Sequence, residues 1–413
     1  MRSSQPFGRI ALAGAFFQGG AAATDPATIV ASLAYGLTQS AFWTGAAAAV
    51  ARLGWLAPQL FVAYLSSARP RMPYYRFGAF GRVIALAAVA LLVAAGGAAP
   101  GGVWLVALFL LWSGYAFIAG IVAVPYNDIV ARHIPPNRRS RLLAARFLGG
   151  GLLALLVAAL AERALSAHAF PMGHAAVLAL GTALLAVSAA CFVCAGEPPL
   201  AEERRPASFG AFVAQGAKIW RRDLRFRWFV ASQWAAGVAA LATPLYVVAA
   251  ADALAARDVA WLLGAQTLGA LAANPLWGSL GDRRGKLALL WSVAVLALLP
   301  PLLTLAWFSA GERADALAWF GAAFFMLGAA SNGAVIAQLG YLMEVSPNDM
   351  RPAYSGYFNM LVAPVTLSPL AGAALIGLHP AAPFVAALGF GALAAAAIGR
   401  LRAVERDLQA RPA

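Results

Sequence analysis

The sequence predicts an all-α membrane protein: twelve transmembrane helices in two six-helix halves, both termini cytoplasmic. Three observations predict it. Of 413 residues, 62% are hydrophobic and only 11% charged, where a soluble globule carries about a quarter charged residues. The apolar residues fall into about twelve runs of about 20 residues or more, long enough to cross a hydrocarbon core. Finally, the basic residues gather in alternate loops, the positive-inside pattern.

A backbone in lipid satisfies its own hydrogen bonds, so the runs read as helices, and the weak alternation of a membrane barrel is absent. The spans expected lie over about 9–36, 40–67, 79–98, 102–130, 142–164, 172–195, 226–250, 256–277, 287–309, 315–345, 353–377 and 380–401. The first starts near Phe7 and reads as a retained span, too long for a cleaved leader. One side of the chain holds Arg2, Arg9, Arg69, Arg71, Arg76, Arg82, Arg132, Arg138, Arg139, Arg141 and Arg146. It also holds the basic residues of the central segment, Arg283, Arg284, Lys286, Arg351 and the tail arginines. The other has only Arg163, Arg257 and Arg313. The net charge of +14 is therefore mostly topological. It points to anionic headgroups, not nucleic acid.

The halves are expected at 1–195 and 226–413, joined by a cytoplasmic linker over 196–225. In the linker's second part, basic residues interleave with Phe209, Phe212, Ile219 and Trp220, the composition of an amphipathic helix lying in the headgroup layer. A weak internal repeat supports the division. Pro136-Asn137 follows the fourth span and Pro347-Asn348 the tenth, at an offset of 211 residues. Cys191 and Cys194 lie in an apolar run without further ligands and read as buried small side chains. The four histidines sit near loops or span ends. No catalytic triad, metal cluster or phosphate loop appears, so neither an enzyme nor a cofactor or metal is expected.

Charges inside spans are costly and mark function. Asp25, followed by Pro26, lies roughly 24 Å along the first span, and Arg52 lies roughly 22 Å up the second from its cytoplasmic end. Similar depth on consecutive helices makes them an ion pair or a shared lining of a polar cavity. Proline removes a backbone donor here, and broken helices at midplane line binding sites. Asp25 is thus a candidate proton or cation site and Arg52 its partner or an anion clamp; the other reading is a purely structural pair or a charge reaching the outer interface. At the cytoplasmic span ends, Asp128 and Glu344 stand near arginines and are candidate gate pairs.

The stretch Gly278 to Lys286, GSLGDRRGK, sits between two apolar runs. Its Gly278, Asp282, Arg283, Gly285 and Lys286 resemble the signature loop of the major facilitator superfamily, Gly-x-x-x-Asp-Arg-x-Gly-Arg/Lys. The resemblance implies that Asp282 caps a neighbouring helix end and pairs with an arginine, with Asp282 and Arg283 gating. Gly278 would make room for close helices, and Gly285 would permit the turn. It further implies a cavity lined by spans 1, 4, 7 and 10, which selects Gln18, Tyr115, Gln233, Trp234 and Asn332; interhelical hydrogen bonding is the competing role for each. Departures are plain. The first-half loop LSSARPRMPYYRFG has Arg71 where the offset puts Asp282, so the acidic cap is missing and Arg71 is expected to affect insertion or lipid contact. Span 4 has no deep arginine, and span 5 has Gly149-Gly150-Gly151 in place of a Gly-Pro pattern, both of which argue against a drug/proton antiporter.

The function expected is secondary transport of a small organic solute across a bacterial inner membrane by alternating access, with proton coupling through Asp25 left open. Export of amphipathic compounds is the alternative within that class; a non-transporting assembly or scaffold factor on the same fold is the alternative outside it. The partners expected are a small-molecule substrate, protons and membrane lipids, with no nucleic acid, and the chain is expected to act as a monomer.

Overall fold

A computed structural model describes residues 5–66, 69–96, 101–134, 136–199, 208–250, 253–255, 257–310, 315–346 and 351–409. Among these the secondary structure is helical, with no strand. Ten helical segments are long and apolar enough to cross a membrane, so the chain is a multi-pass integral membrane protein. Two compact units form, one of Met1–Arg205 with Leu254–Gly264, the other of Pro206–Ala253 with Ala265–Ala413.

The first unit begins with α1 (Gln5–Ala22) and α2 (Ile29–Thr38), then α3 (Ala41–Ser66) and α4 (Met72–Gly96). It continues with α5 (Gly102–Ile121), α6 (Ala123–His133), α7 (Pro136–Ala167) and α8 (Met172–Val193). Two buried clusters hold it together. One joins α2 to α3, α4, α5 and α8 through Leu33, Leu86, Val93, Leu108, Trp112 and Leu185. The other joins the opposite helix ends through Ile10, Tyr75, Ile129, Leu142 and Phe192. The outward stripe of α4, Phe77, Ile84 and Leu91, is about 70% exposed. Apolar residues spaced by seven on a spanning helix face lipid as readily as protein.

The rest of the chain contains α9 (Phe209–Arg222), α10 (Leu224–Ala239), α11 (Leu245–Ala250) and α12 (Asp258–Arg283). Then come α13 (Lys286–Leu296), α14 (Leu299–Ala310), α15 (Ala316–Val345), α16 (Arg351–Val362), α17 (Ser368–Ile376) and α18 (Ala382–Gln409). The second unit's core gathers Phe226, Phe229, Trp277, Leu289, Tyr341, Phe358 and Leu401. Ile219 of α9 joins that core while Phe209, Lys218, Trp220, Arg221 and Arg222 stay exposed. Asp223 caps α10, accepting from the N–H groups of Arg225 and Phe226 at 2.9 and 3.1 Å.

Several expected spans are interrupted, and the interruptions track proline. The first is split between Ala22 and Ile29 around Pro26, and the seventh opens at Ala240–Pro244. The ninth breaks before Pro300-Pro301 and the eleventh becomes a 3-10 turn at Ala363–Leu367 around Pro364. A proline cannot donate to the carbonyl four residues back and its ring pushes against it. Pro58 and Pro275, in contrast, lie inside continuous helices.

The basic-side assignment needs two corrections. Arg82 and Arg146 were counted with the basic loops although the expected spans 79–98 and 142–164 contain them, and they lie inside spanning segments. Each stands ten residues from its helix start, roughly 15 Å along the axis. Arg82 is only 3% exposed, and its guanidinium lies 5.0 Å over the Phe17 ring. The buried reading of the cysteines also changes: Cys191 is partly buried and Cys194, just past α8, is exposed.

Candidate functional site

The break between α1 and α2 builds the first site. Ala23 and Thr24 close α1, and Pro26 prevents its ladder from continuing. Asp25 then serves as an acceptor for the start of α2. Its Oδ1 takes the N–H groups of Ala27 and Thr28 at 2.9 and 3.0 Å and the Thr28 hydroxyl at 3.0 Å. An acidic side chain over exposed N–H groups is favoured by both hydrogen bonding and the helix dipole.

The break also gathers polar groups from neighbouring helices. The Thr24 and Tyr115 hydroxyls lie 3.4 Å apart, joining the break to α5. Tyr115 stacks on Trp112 at 5.1 Å between ring centroids, and Trp112 Nε1 donates to the Ala47 carbonyl at 2.9 Å. The charge of Asp25 bears on the Arg52 guanidinium. Arg52 is exposed on α3 although it sits mid-helix, and Asp25 is half-buried. Asp25, Arg52 and Tyr115 are therefore neighbours around one break. Gln18 is turned elsewhere: its side chain seats on Gly150 of α7, where a Cβ would collide with it.

In the second unit the candidates make local contacts. Gln233 Nε2 lies 3.4 Å from Ser232 Oγ, and Trp234 Nε1 donates to the Leu361 carbonyl at 2.9 Å. Asn332 donates to Asn274 Oδ1 at 2.5 Å and to the Ala270 carbonyl at 3.3 Å, tying α15 to α12.

A second constellation lies at one end of the first unit. Glu197, just beyond α8, accepts from the backbone N–H groups of Arg71 and Met72 at 2.7 and 2.9 Å. It thereby caps α4 with both carboxylate oxygens. Arg132 bridges Glu197 at 2.9 Å and Asp128 at 2.6 Å, and donates to the Pro198 carbonyl at 2.9 Å. Arg71 Nε lies 3.3 Å from Asp128 Oδ2. Burial pushes the Glu197 carboxyl up; the bonds from Arg132 and from the Arg71 and Met72 N–H groups outweigh it and hold the group below its ordinary value. Burial likewise works against the Arg132 charge, and Glu197 and Asp128 more than restore it. Arg71 is thus a buried member of an ion network, not a lipid-facing residue. The acid missing from its loop is supplied by Glu197 from the end of α8.

The hairpin of the second unit is built differently. Gly278 through Arg283 continue α12, and Gly285 turns the chain at φ 83° before α13. A Cβ on Gly278 would meet open space, so close helix approach does not explain that glycine. Gly281 is the crowded one, with Lys286 Nζ 3.1 Å and Leu289 Cδ2 3.2 Å from the place of a Cβ. The Asp282 side chain is 82% exposed and stands 3.5 Å from Lys286 Nζ. Among the described residues its charge partner is this neighbour one turn on, not an arginine. Arg283 is exposed, as is Glu344, whose charge lies within reach of Lys286 and Glu405.

Sequence reasoning missed Thr24, Glu197, Arg82 and Arg146. A signal for Glu197 was present: an acid at the end of a long span, followed by Pro198-Pro199, cannot continue the helix and is free to fold back on a neighbouring helix start.

No family model matches the chain, and no curated protein does. Solved structures are similar to it in three dimensions. A POT family transporter in complex with 5-aminolevulinic acid is 11% identical at a TM-score of 0.71, over 96% of this chain and 95% of that one. A mutant of the nucleoside transporter NupG is 12% identical at 0.69, over 97% and 99%. A bacterial homologue of the iron transporter ferroportin, in an outward-facing state, is 13% identical at 0.66, over 96% and 99%. The hairpin residues and this likeness agree, and the chain has the fold of the major facilitator superfamily.

Proposed function

We propose that the chain is a secondary transporter that moves a small organic solute by alternating access, with Asp25 and Arg52 at its central site. One observation carries the reading. The first span of the first unit breaks at Thr24-Asp25-Pro26, and the break holds an acid, an exposed arginine and a tyrosine hydroxyl together. Discontinuous helices with polar breaks are how this architecture makes solute sites in lipid. The seventh span also opens, at Ala240–Pro244.

The fuller reading has twelve spans, with α1 and α2 sharing the first and α12 supplying the eighth. Both termini are cytoplasmic, and the chain works as a monomer in a bacterial inner membrane. Transport is favoured over a scaffold role because the break sets an acid and an arginine at mid-span, and ionisable residues within spans mark solute or ion paths. Peptide and nucleoside transporters among the solved structures support polar organic cargo over the amphipathic alternative. The Glu197–Arg132–Asp128–Arg71 network and the exposed Asp282 hairpin serve as gates.

The deciding experiment is counterflow. Purified protein is screened against a solute library by thermal shift, and each hit is tested for uptake of labelled solute into preloaded proteoliposomes. Transport predicts at least one hit with saturable counterflow that vanishes in Asp25→Asn. Hits that bind without exchange would overturn the reading in favour of a non-transporting role.

A further inference from the structure

Arg82 and Arg146 lie inside spanning segments of the first unit with no acid partner among the described residues. Arg82 on α4 and Arg146 on α7 both touch α1. Arg82 covers the Phe17 ring, and the Arg146 side chain lies across Gly14, where any Cβ would collide with it. Gly14 thereby makes room for Arg146.

Neither guanidinium meets a carboxylate among the described residues. The described acids of this unit are engaged elsewhere: Asp128 and Glu197 with Arg71 and Arg132, Asp25 at the α2 start. Glu162 accepts from Ser166 and Asp258 from the Ala255 N–H. Tyrosines surround the two arginines instead. Arg146 lies 5.1 Å over the Tyr126 ring. Tyr75 stands 6.4 Å from Tyr126, ring to ring, and both arginine charges bear on it. Three donors in this group, Arg82 Nε, Arg146 Nε and Tyr126 Oη, are buried with no hydrogen-bond partner. Aromatic faces offset part of a cation's burial, but they accept none of these hydrogen bonds well, and buried donors are normally satisfied. Two cations and buried orphan donors, with no carboxylate against them among the described residues, suit an anion. Arg146 is only partly buried, so the cluster is not sealed.

We propose that the Arg82–Arg146–Tyr126 cluster is an oxyanion site that takes a carboxylate or phosphate group, with the guanidinium groups and the Tyr126 hydroxyl as donors. The oxyanion is borne by the transported solute; that last step rests on the transport reading, whereas the site itself does not. Guanidinium is suited to the task because it stays charged when buried and presents donors in a plane that matches an oxyanion.

The test uses the full chain in lipid-free detergent at fixed ionic strength. Melting is followed against succinate and inorganic phosphate, with chloride and uncharged succinamide as controls. The site predicts a saturable rise in Tm of about 2 °C or more with an oxyanion and none with the amide. Arg82→Gln and Arg146→Gln should lose the rise, and Arg82→Lys should keep part of it. Tyr126→Phe should raise the apparent Kd about 5- to 10-fold, the worth of one hydrogen bond. A parallel arm in nanodiscs with and without phosphatidylglycerol tests the headgroup as source. A rise there alone, abolished by Arg82→Gln, keeps the site and assigns its occupant to lipid, removing the solute step. No response of the wild type in either arm overturns the proposal without reference to any variant, as does an equal response in Arg82→Gln. Oxyanion binding without counterflow would sink the transport reading and leave the site standing. Counterflow confined to uncharged solutes, with no anion response, would do the reverse.

Discussion

At the scale of single residues, Asp25 has two separable jobs. As a hydrogen-bond acceptor it closes the turn that leads into α2; as a charge it acts on Arg52. Asparagine keeps an acceptor oxygen and removes the charge, while alanine removes both. Asp25→Ala should therefore cost about 1 kcal/mol of stability, the usual worth of a cap, and Asp25→Asn only a few tenths. If the charge drives the mechanism, Asp25→Asn melts like the wild type yet loses uptake or its dependence on the proton gradient. Normal transport and pH dependence by Asp25→Asn in proteoliposomes would reduce Asp25 to a cap. The sequence made this residue visible because it is acidic, mid-span and followed by proline. It hid Arg82 and Arg146 for a physical reason. An arginine about ten residues into a helix can snorkel out to the headgroups or fold back onto aromatic rings. A charge count cannot distinguish them; the position of Phe17 and the bare Gly14, both on another helix, decide the outcome.

At the scale of elements, the start of α4 shows how a loop motif can be completed from elsewhere. The acid is absent from the loop before α4, yet its N-terminus is capped by a carboxylate because Glu197 folds back from the end of α8. That contact spans more than a hundred residues of sequence, beyond what local spacing encodes. Removing the charge with Glu197→Gln should lower stability at neutral pH by about 1–3 kcal/mol, the range for a lost hydrogen bond to a charged group. The pH dependence has a definite sign. Glu197 is held below its ordinary value in the folded chain. Its stabilisation is thus complete above the unfolded value of about 4.3 and disappears as pH falls through the lowered folded value. Between pH 6 and pH 3 the wild type should lose more Tm than Glu197→Gln does, and the two curves should converge at the acid end. Parallel curves would mean that Glu197 does not carry the network. The helix breaks were partly legible. Each lies beside a proline printed in the sequence, but Pro58 and Pro275 break nothing, because neighbouring packing can hold a helix together across a missing donor.

At the scale of the whole molecule, the two units resolve a shared plan differently. Both open with a span interrupted beyond its midpoint, but one unit ends in a partly buried four-residue ion network and the other in an exposed Asp282–Lys286 pair. Surface pairs contribute little to stability, so on the proposed transport reading Asp282 acts through whatever the hairpin meets during the cycle and adds little to the resting fold. The orientation of the whole chain follows from its loops. Arg82 and Arg146 leave the count of basic residues on the proposed inner side once they are placed inside the spans, yet the excess over Arg163, Arg257 and Arg313 stays large, so the proposed orientation keeps its basis. This gives a test that needs no substrate. In a background with Cys191→Ala and Cys194→Ala, a single cysteine is placed at Ser208 ahead of α9 or at Arg257 ahead of α12. A membrane-impermeant maleimide applied to intact cells should label the Arg257→Cys chain at once and the Ser208→Cys chain only after permeabilisation. Both positions are exposed, so failure to label reflects sidedness and not burial. Labelling of Ser208→Cys from outside would invert the whole orientation, and with it the assignment of Glu197, Arg132 and Asp282 to a cytoplasmic gate.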